Sequence, residues 1–146
     1  MNIASTGIDA KGSVLTDYTA DGRNVNPPVT LSEVPDGTQS LMLIMDDKDA
    51  PNGRFVHWLV YDLPASTLQI LEDQTPAAAK CAINDFGKPG YGGPQPPSGT
   101  HHYRLRVVAL DTMLGLSDNA PHQQVEQAAE GHIIESAEIV GTYSAA

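Results

Sequence analysis

The residues able to do chemistry fall in three stretches. Asp46-Asp47-Lys48-Asp49-Ala50-Pro51 ends an apolar run, His57 sits within Phe55-Val56-His57-Trp58, and His101-His102-Tyr103 opens a third stretch. Carboxylates beside imidazoles can do two kinds of work. An aspartate can hold an imidazole in orientation while the ring donates to an anion. Alternatively, the acids and histidines can grip a divalent metal that activates water for hydrolysis. Other chemistries lack their residues: there is no His-Glu-x-x-His, no Gly-x-Ser-x-Gly, and no Cys-His nucleophile pair around the single Cys81.

Each candidate also has a plainer reading. If the strand persists, Asp47 and Asp49 continue the face of Leu41, Leu43 and Met45, where acids need donors, cations or water. If it stops, they are solvated carboxylates in a turn. His57, flanked on both faces of its strand, fits a satisfied core histidine as well as a ligand. His101 is more suggestive because it adjoins a Gly/Pro loop on an apolar face. His102, His122 and His132 read as surface or helix-edge residues. Spacing alone does not bring the three stretches together; a fold must.

The elements that would position them are mostly strands. From Gly87 to Gly99, nine of thirteen residues are Gly or Pro, which excludes a helix or an interior strand and predicts an ordered loop holding backbone near a ligand. Val34-Pro35-Asp36-Gly37-Thr38 is a turn. Leu41–Met45 is apolar on both faces and predicts a central strand. In the strand over 54–62, alternation puts Phe55, His57, Leu59 and Tyr61 on one face and Val56, Trp58 and Val60 on the other. Over 101–110, His101, Tyr103, Leu105, Val107 and Ala109 form the inner face, opposite His102, Arg104 and Arg106. Pro121 opens the one convincing helix, through Glu130, with Ser117, Asp118 or Asn119 as cap candidates and Gly131 as its end or Ile133 and Ile134 as one more turn. Glu138–Tyr143 is a last strand. This pattern favours an antiparallel β-sandwich.

Composition narrows the partners. The 146 residues read as a single domain, 1–146, and 40% hydrophobic content fits a globular chain. A net charge of −10, with eight scattered basic residues, argues against nucleic acid and anionic lipid surfaces. No apolar run is long enough to span a bilayer, and no signal segment opens the chain, so it reads as cytoplasmic. The lone Cys81, in a short strand, reads as a buried structural thiol in a reducing compartment. A homodimer is the base-rate expectation for an oligomer.

The ordered motifs of this chain resemble those of the phosphatidylethanolamine-binding protein family, which includes Raf kinase inhibitor protein, and in particular its compact prokaryotic members. Asp21-Gly22-Arg23-Asn24-Val25-Asn26-Pro27-Pro28 is similar to the family's N-terminal motif, Asp47-Lys48-Asp49-Ala50-Pro51 with Phe55-Val56-His57-Trp58 to its first signature, and Gly90–Gly99 with His101-His102-Tyr103 to its second. Gly131-His132 and Ile139–Tyr143 resemble the ending of the short members. The resemblance implies a mainly β, Greek-key antiparallel sandwich with one short helix near the C-terminus and a small pocket at one end. It implies Asp47, Asp49, His57 and His101 as the pocket's polar positions and Pro51, Pro97 and Tyr103 as its wall. The function implied is non-enzymatic binding of a small anion, phosphate or a phosphorylated head group, with no cofactor and with regulation of a partner kinase or protease as a further expectation. A metal-assisted hydrolase and a pure interaction module with an idle pocket are the alternatives. Lys48 stands where the family usually has proline, His102 where it usually has arginine, and Ala20 and Gln95 where prokaryotic relatives often have cysteine.

Overall fold

The computed structural model describes residues 1–145. Two antiparallel sheets carry the fold. Strands β1 (Asn2–Ala4), β2 (Val29–Ser32) and β5 (Gln69–Ile70) form a small sheet in the order β1-β2-β5. Strands β3 (Ser40–Asp47), β4 (Phe55–Pro64), β6 (Lys80–Cys81), β7 (Thr100–Leu110) and β8 (Ile133–Ser144) form a large one in the order β6-β4-β3-β7-β8. Helix α1 (His122–Ala129) follows β7 in the chain. This is the Greek-key sandwich expected from the motifs, with β3 paired to both β4 and the distant β7.

Because β3 is covered on both faces, its residues divide between two cores. Leu41, Leu43 and Met45 meet Ile3, Val29, Leu31 and Ile70 of the small sheet in the inter-sheet core. Met42 and Ile44 face the other way, into a second core that includes Val125 and Ala129 of α1. Every residue of β3 is buried, so the apolar run has no polar face to show.

Strict alternation fails in β4. Its pairing slips between Met45↔Trp58 and Asp46↔Val56, and again between Leu41↔Leu63 and Leu43↔Val60. Each slip is a β-bulge, which adds a residue to one strand and re-aims its neighbours. The first makes His57 the extra residue. Trp58, Val60 and Leu63 consequently join the inter-sheet core, while Val56, Leu59 and Tyr61 share the second one. The alternating assignment of β4 is therefore corrected: Val56 lies on the side of Leu59 and Tyr61, not that of Trp58. At the second bulge Asp62 takes φ +54° and accepts from the backbone N–H of Leu114 and Gly115.

Other boundaries also differ from expectation. Pro121 itself is the N-cap of α1, with no side-chain cap; Asp118 instead accepts from the N–H groups of Cys81 and Asn119. Gly131, at φ +80°, turns the chain, and Ile133 and Ile134 begin β8 rather than extending the helix. Gly92 marks a close approach in the Gly/Pro loop, since a Cβ there would lie 2.4 Å from the Phe86 ring. Among the described residues no helix is long and apolar enough to cross a membrane.

Candidate functional site

Strand β3 ends with adjacent carboxylates on opposite faces of the large sheet. Asp47 pairs across the strands with Phe55 and Tyr103, and its Oδ2 accepts from Nδ1 of His101 at 2.6 Å. Its Oδ1 accepts the backbone N–H of Asp49 at 2.8 Å, closing the turn that follows the strand. Both groups of the Asp47–His101 pair are buried.

His57, at the β4 bulge, is also buried. Its Nδ1–H donates to the carbonyl of Gly92 at 2.7 Å, tying the strand to the Gly/Pro loop. Burial lowers its pKa below the usual imidazole value, against the opposing pull of the Gly92 carbonyl and of Asp47. The ring stands edge-on to Tyr103, with centroids 5.4 Å apart, and close to Phe55 and Phe86. Burial also pushes the Tyr103 phenol upward, so its hydroxyl keeps its proton and remains a donor.

These groups line a pocket of about 200 Å³ at one end of the sandwich. Of the residues singled out from the sequence, the structure brings Asp47, Pro51, His57, Pro97, His101 and Tyr103 to this one cavity, the span of more than fifty residues being closed by the β3–β4 and β3–β7 pairings. Asp49 lies apart. It is exposed, outside the lining, and its Oδ2 accepts both the backbone N–H and Nδ1 of His102, each at 2.8 Å. The strand ends at Asp47, so the inward face cannot extend to Asp49.

Sequence reasoning missed Phe55, Phe86 and Gln95, which also line the cavity. Phe86 follows Asp85 and opens the Gly/Pro stretch, but no periodicity points it inward. The expectation for His122 is corrected as well. Rather than a helix-edge residue it is a buried one, with Nε2 2.7 Å from Asp85 and Nδ1 2.9 Å from Glu126. Behind the pocket, Asp46 is 1% exposed and takes Arg104 through two nitrogens, at 3.0 and 2.6 Å, and Arg54 at 2.7 Å. Arg54 also reaches Glu126 at 2.6 Å. Among the described residues, no three His, Cys, Asp or Glu side chains are grouped so as to hold a metal ion.

Comparison with known proteins fits this architecture. The family model described as phosphatidylethanolamine-binding protein matches residues 5–144. A UPF0098 protein of Aquifex aeolicus is 47% identical over 133 residues, covering 86% of this chain and 78% of its own. One from Methanothermobacter thermautotrophicus is 38% identical over 149 residues and 98% of both chains. Among solved structures, a phosphatidylethanolamine-binding protein homologue of Chlamydia trachomatis superposes with a TM-score of 0.91 at 32% identity, over 99% of this chain and 97% of that one. Escherichia coli YbcL gives 0.92 at 30% identity, over 99% and 98%.

Proposed function

Because the chain belongs to the phosphatidylethanolamine-binding protein family, we propose that it is a non-enzymatic binding protein whose pocket takes a small anion, phosphate or a phosphorylated head group. One observation carries this reading. His57 and His101 both spend Nδ1 on the protein, on the Gly92 carbonyl and on Asp47 respectively, which leaves Nε2 of each ring for a ligand. Two imidazole edges against apolar walls suit the oxygens of a compact anion, each N–H···O⁻ bond being charge-assisted when the ring is protonated.

The acidity of the site does not oppose this. Each oxygen of Asp47 already accepts an N–H, from His101 and from Asp49, and Asp49 is turned to His102. That arrangement favours an anion held by imidazoles over a zwitterion whose ammonium would need a free carboxylate. His57, kept neutral by burial, presents a lone pair at Nε2 when Nδ1 carries the proton. Holding an anion there requires a second proton, so binding takes one up.

Calorimetric titration with sulfate, which does not itself titrate near neutrality, isolates that proton. Affinity is expected to rise from about pH 8 to about pH 5.5, values chosen around the ordinary imidazole pKa of roughly 6.5. Above the His57 pKa the loss approaches roughly tenfold per pH unit. Buffers of different ionisation enthalpy should report proton uptake, and His57→Phe should lower the number of protons taken up by the one assigned to His57. Affinity that is flat across this range, with no proton taken up, removes the histidine-donor reading.

A further inference from the structure

We propose that this pocket is one lobe of a two-lobed site, and that the second lobe takes a second anionic group of the same small ligand. The lobe lies across Phe86 and Gln95, which line both cavities. It is the larger of the two, at about 270 Å³ against about 200 Å³. Phe86 forms part of the wall between them, its ring lying on Gly92, where a Cβ would come within 2.4 Å of it. The proposal rests on the anion reading of the first lobe and names the class of ligand, a bis-anion carrying two phosphates or a phosphate and a carboxylate.

The chemistry of the second lobe is that of donors. In a chain with 18 acidic residues and 8 basic ones, no carboxylate lines it, and Lys88 does. Lys88 is exposed, and its ammonium forms no hydrogen bond or ion pair with the described residues. Asn24 accepts the backbone N–H of Gly93 at 2.7 Å through Oδ1, which leaves its Nδ2 donor end free. Gln95, on the shared wall, adds an amide with no partner among the described residues.

The lobe is shaped by groups that are already satisfied. Asn84 donates to the Gly90 carbonyl at 3.0 Å and accepts the N–H groups of Phe86 and Lys88 at 2.9 and 3.3 Å. That amide fixes the backbone on either side of Gly87 and so the place from which Lys88 reaches. The Tyr91 hydroxyl donates to the Tyr18 carbonyl at 2.6 Å and holds the floor. What remains uncommitted is an ammonium and two amide donors, a set that recognises anionic oxygen.

The test titrates the protein with inorganic phosphate and with a series of straight-chain alkane α,ω-bisphosphates at constant ionic strength, by calorimetry and by amide chemical shifts. Phosphate should shift His57 and His101 alone. A bisphosphate of fitting length should also shift Asn24, Lys88 and Gln95 and bind at least tenfold more tightly, since tethering makes the second contact intramolecular. Lys88→Glu should return that bisphosphate to the affinity of phosphate while leaving phosphate itself unchanged. If phosphate binds and no bisphosphate gains over it, or if Lys88→Glu weakens both ligands equally, the second lobe is refuted and the first stands. If phosphate and the bisphosphates all leave His57 and His101 unshifted, the anion reading falls and the two-lobed site falls with it.

Discussion

Replacing Asp46 by Asn tests whether the charge cluster behind the pocket holds the end of β3 in place. Asp46 is 1% exposed and accepts three hydrogen bonds from Arg104 and Arg54. Burial alone would raise its pKa, but the bonds to Arg104 and Arg54 overcome this and leave it below the ordinary carboxylate value. Asn preserves the shape and removes the charge. Breaking a buried pair at one end costs roughly 3–5 kcal/mol, because the partner charge is stranded. Here the stranded side chains are not fully enclosed: Arg104 is 15% and Arg54 36% exposed, and Arg54 keeps Glu126. The lower end, about 3 kcal/mol, is therefore expected. In a domain whose total stability is roughly 5–15 kcal/mol this is a large loss, equivalent to about 10 °C in Tm. The measurement is urea denaturation of both proteins at neutral and acidic pH. A depressed carboxylate contributes stability that is present above the unfolded value of about 3.9 and lost as pH falls through the folded one. The gap should thus narrow on acidification below about pH 4. A gap under about 1 kcal/mol at neutral pH, set against the 3–5 kcal/mol scale of stranded buried charges, refutes the argument, as does one indifferent to acid.

Two further outcomes follow from packing and burial. Gly141→Ala places a Cβ 2.8 Å from Val14 and 3.0 Å from Ile8, an overpacking expected to cost about 1–3 kcal/mol by urea denaturation; wild-type stability would mean the N-terminal segment does not lie on β8. Cys81 is half-buried, and burial pushes its thiol above the usual value, so a disulfide reagent at neutral pH should label it slowly when native and rapidly in urea. Native labelling as fast as that of the unfolded chain contradicts its place between β4 and the Thr75 hydroxyl.

How much was legible depended on how each element records itself. β3 is a run buried on both faces, and β7 alternates from Thr100 to Arg106 before becoming apolar on both faces, so composition and period reveal them. Strands β1, β5 and β6 have three residues or fewer, too short to display a period of two, and their pairing partners are remote. β4 was legible as a strand but not in its facing, because a bulge changes parity without changing composition. The same bulge sets His57 where it faces Tyr103. His122 was misread for a related reason: its helix position was correct, but its ring is engaged by Asp85, 37 residues earlier in the chain. The pocket's histidines were legible as candidates from residue type and, for His101, from the adjoining Gly/Pro loop; its proline wall was legible only through the resemblance of ordered motifs, and Phe86 and Asn84 carry no local sign of their roles.

The two adjacent aspartates show how one strand end can serve two different partners. Asp46 and Asp47 have like surroundings in depth, both buried at the end of β3, but alternation sends them to opposite faces. Asp46 meets two guanidiniums, which stay charged at any ordinary pH. Asp47 meets an imidazole and a backbone amide. A charge paired permanently is mechanical: it fixes the strand end and the approach of β7. A carboxylate paired with imidazole has a counter-charge that depends on pH and on what occupies the far nitrogen. Exchanging the roles, with arginine against Asp47, would tie that carboxylate to a fixed cation and take one of the two imidazoles out of the proposed anion site. The strand's parity thus separates the charge that fixes the strand end from the charge that faces the pocket.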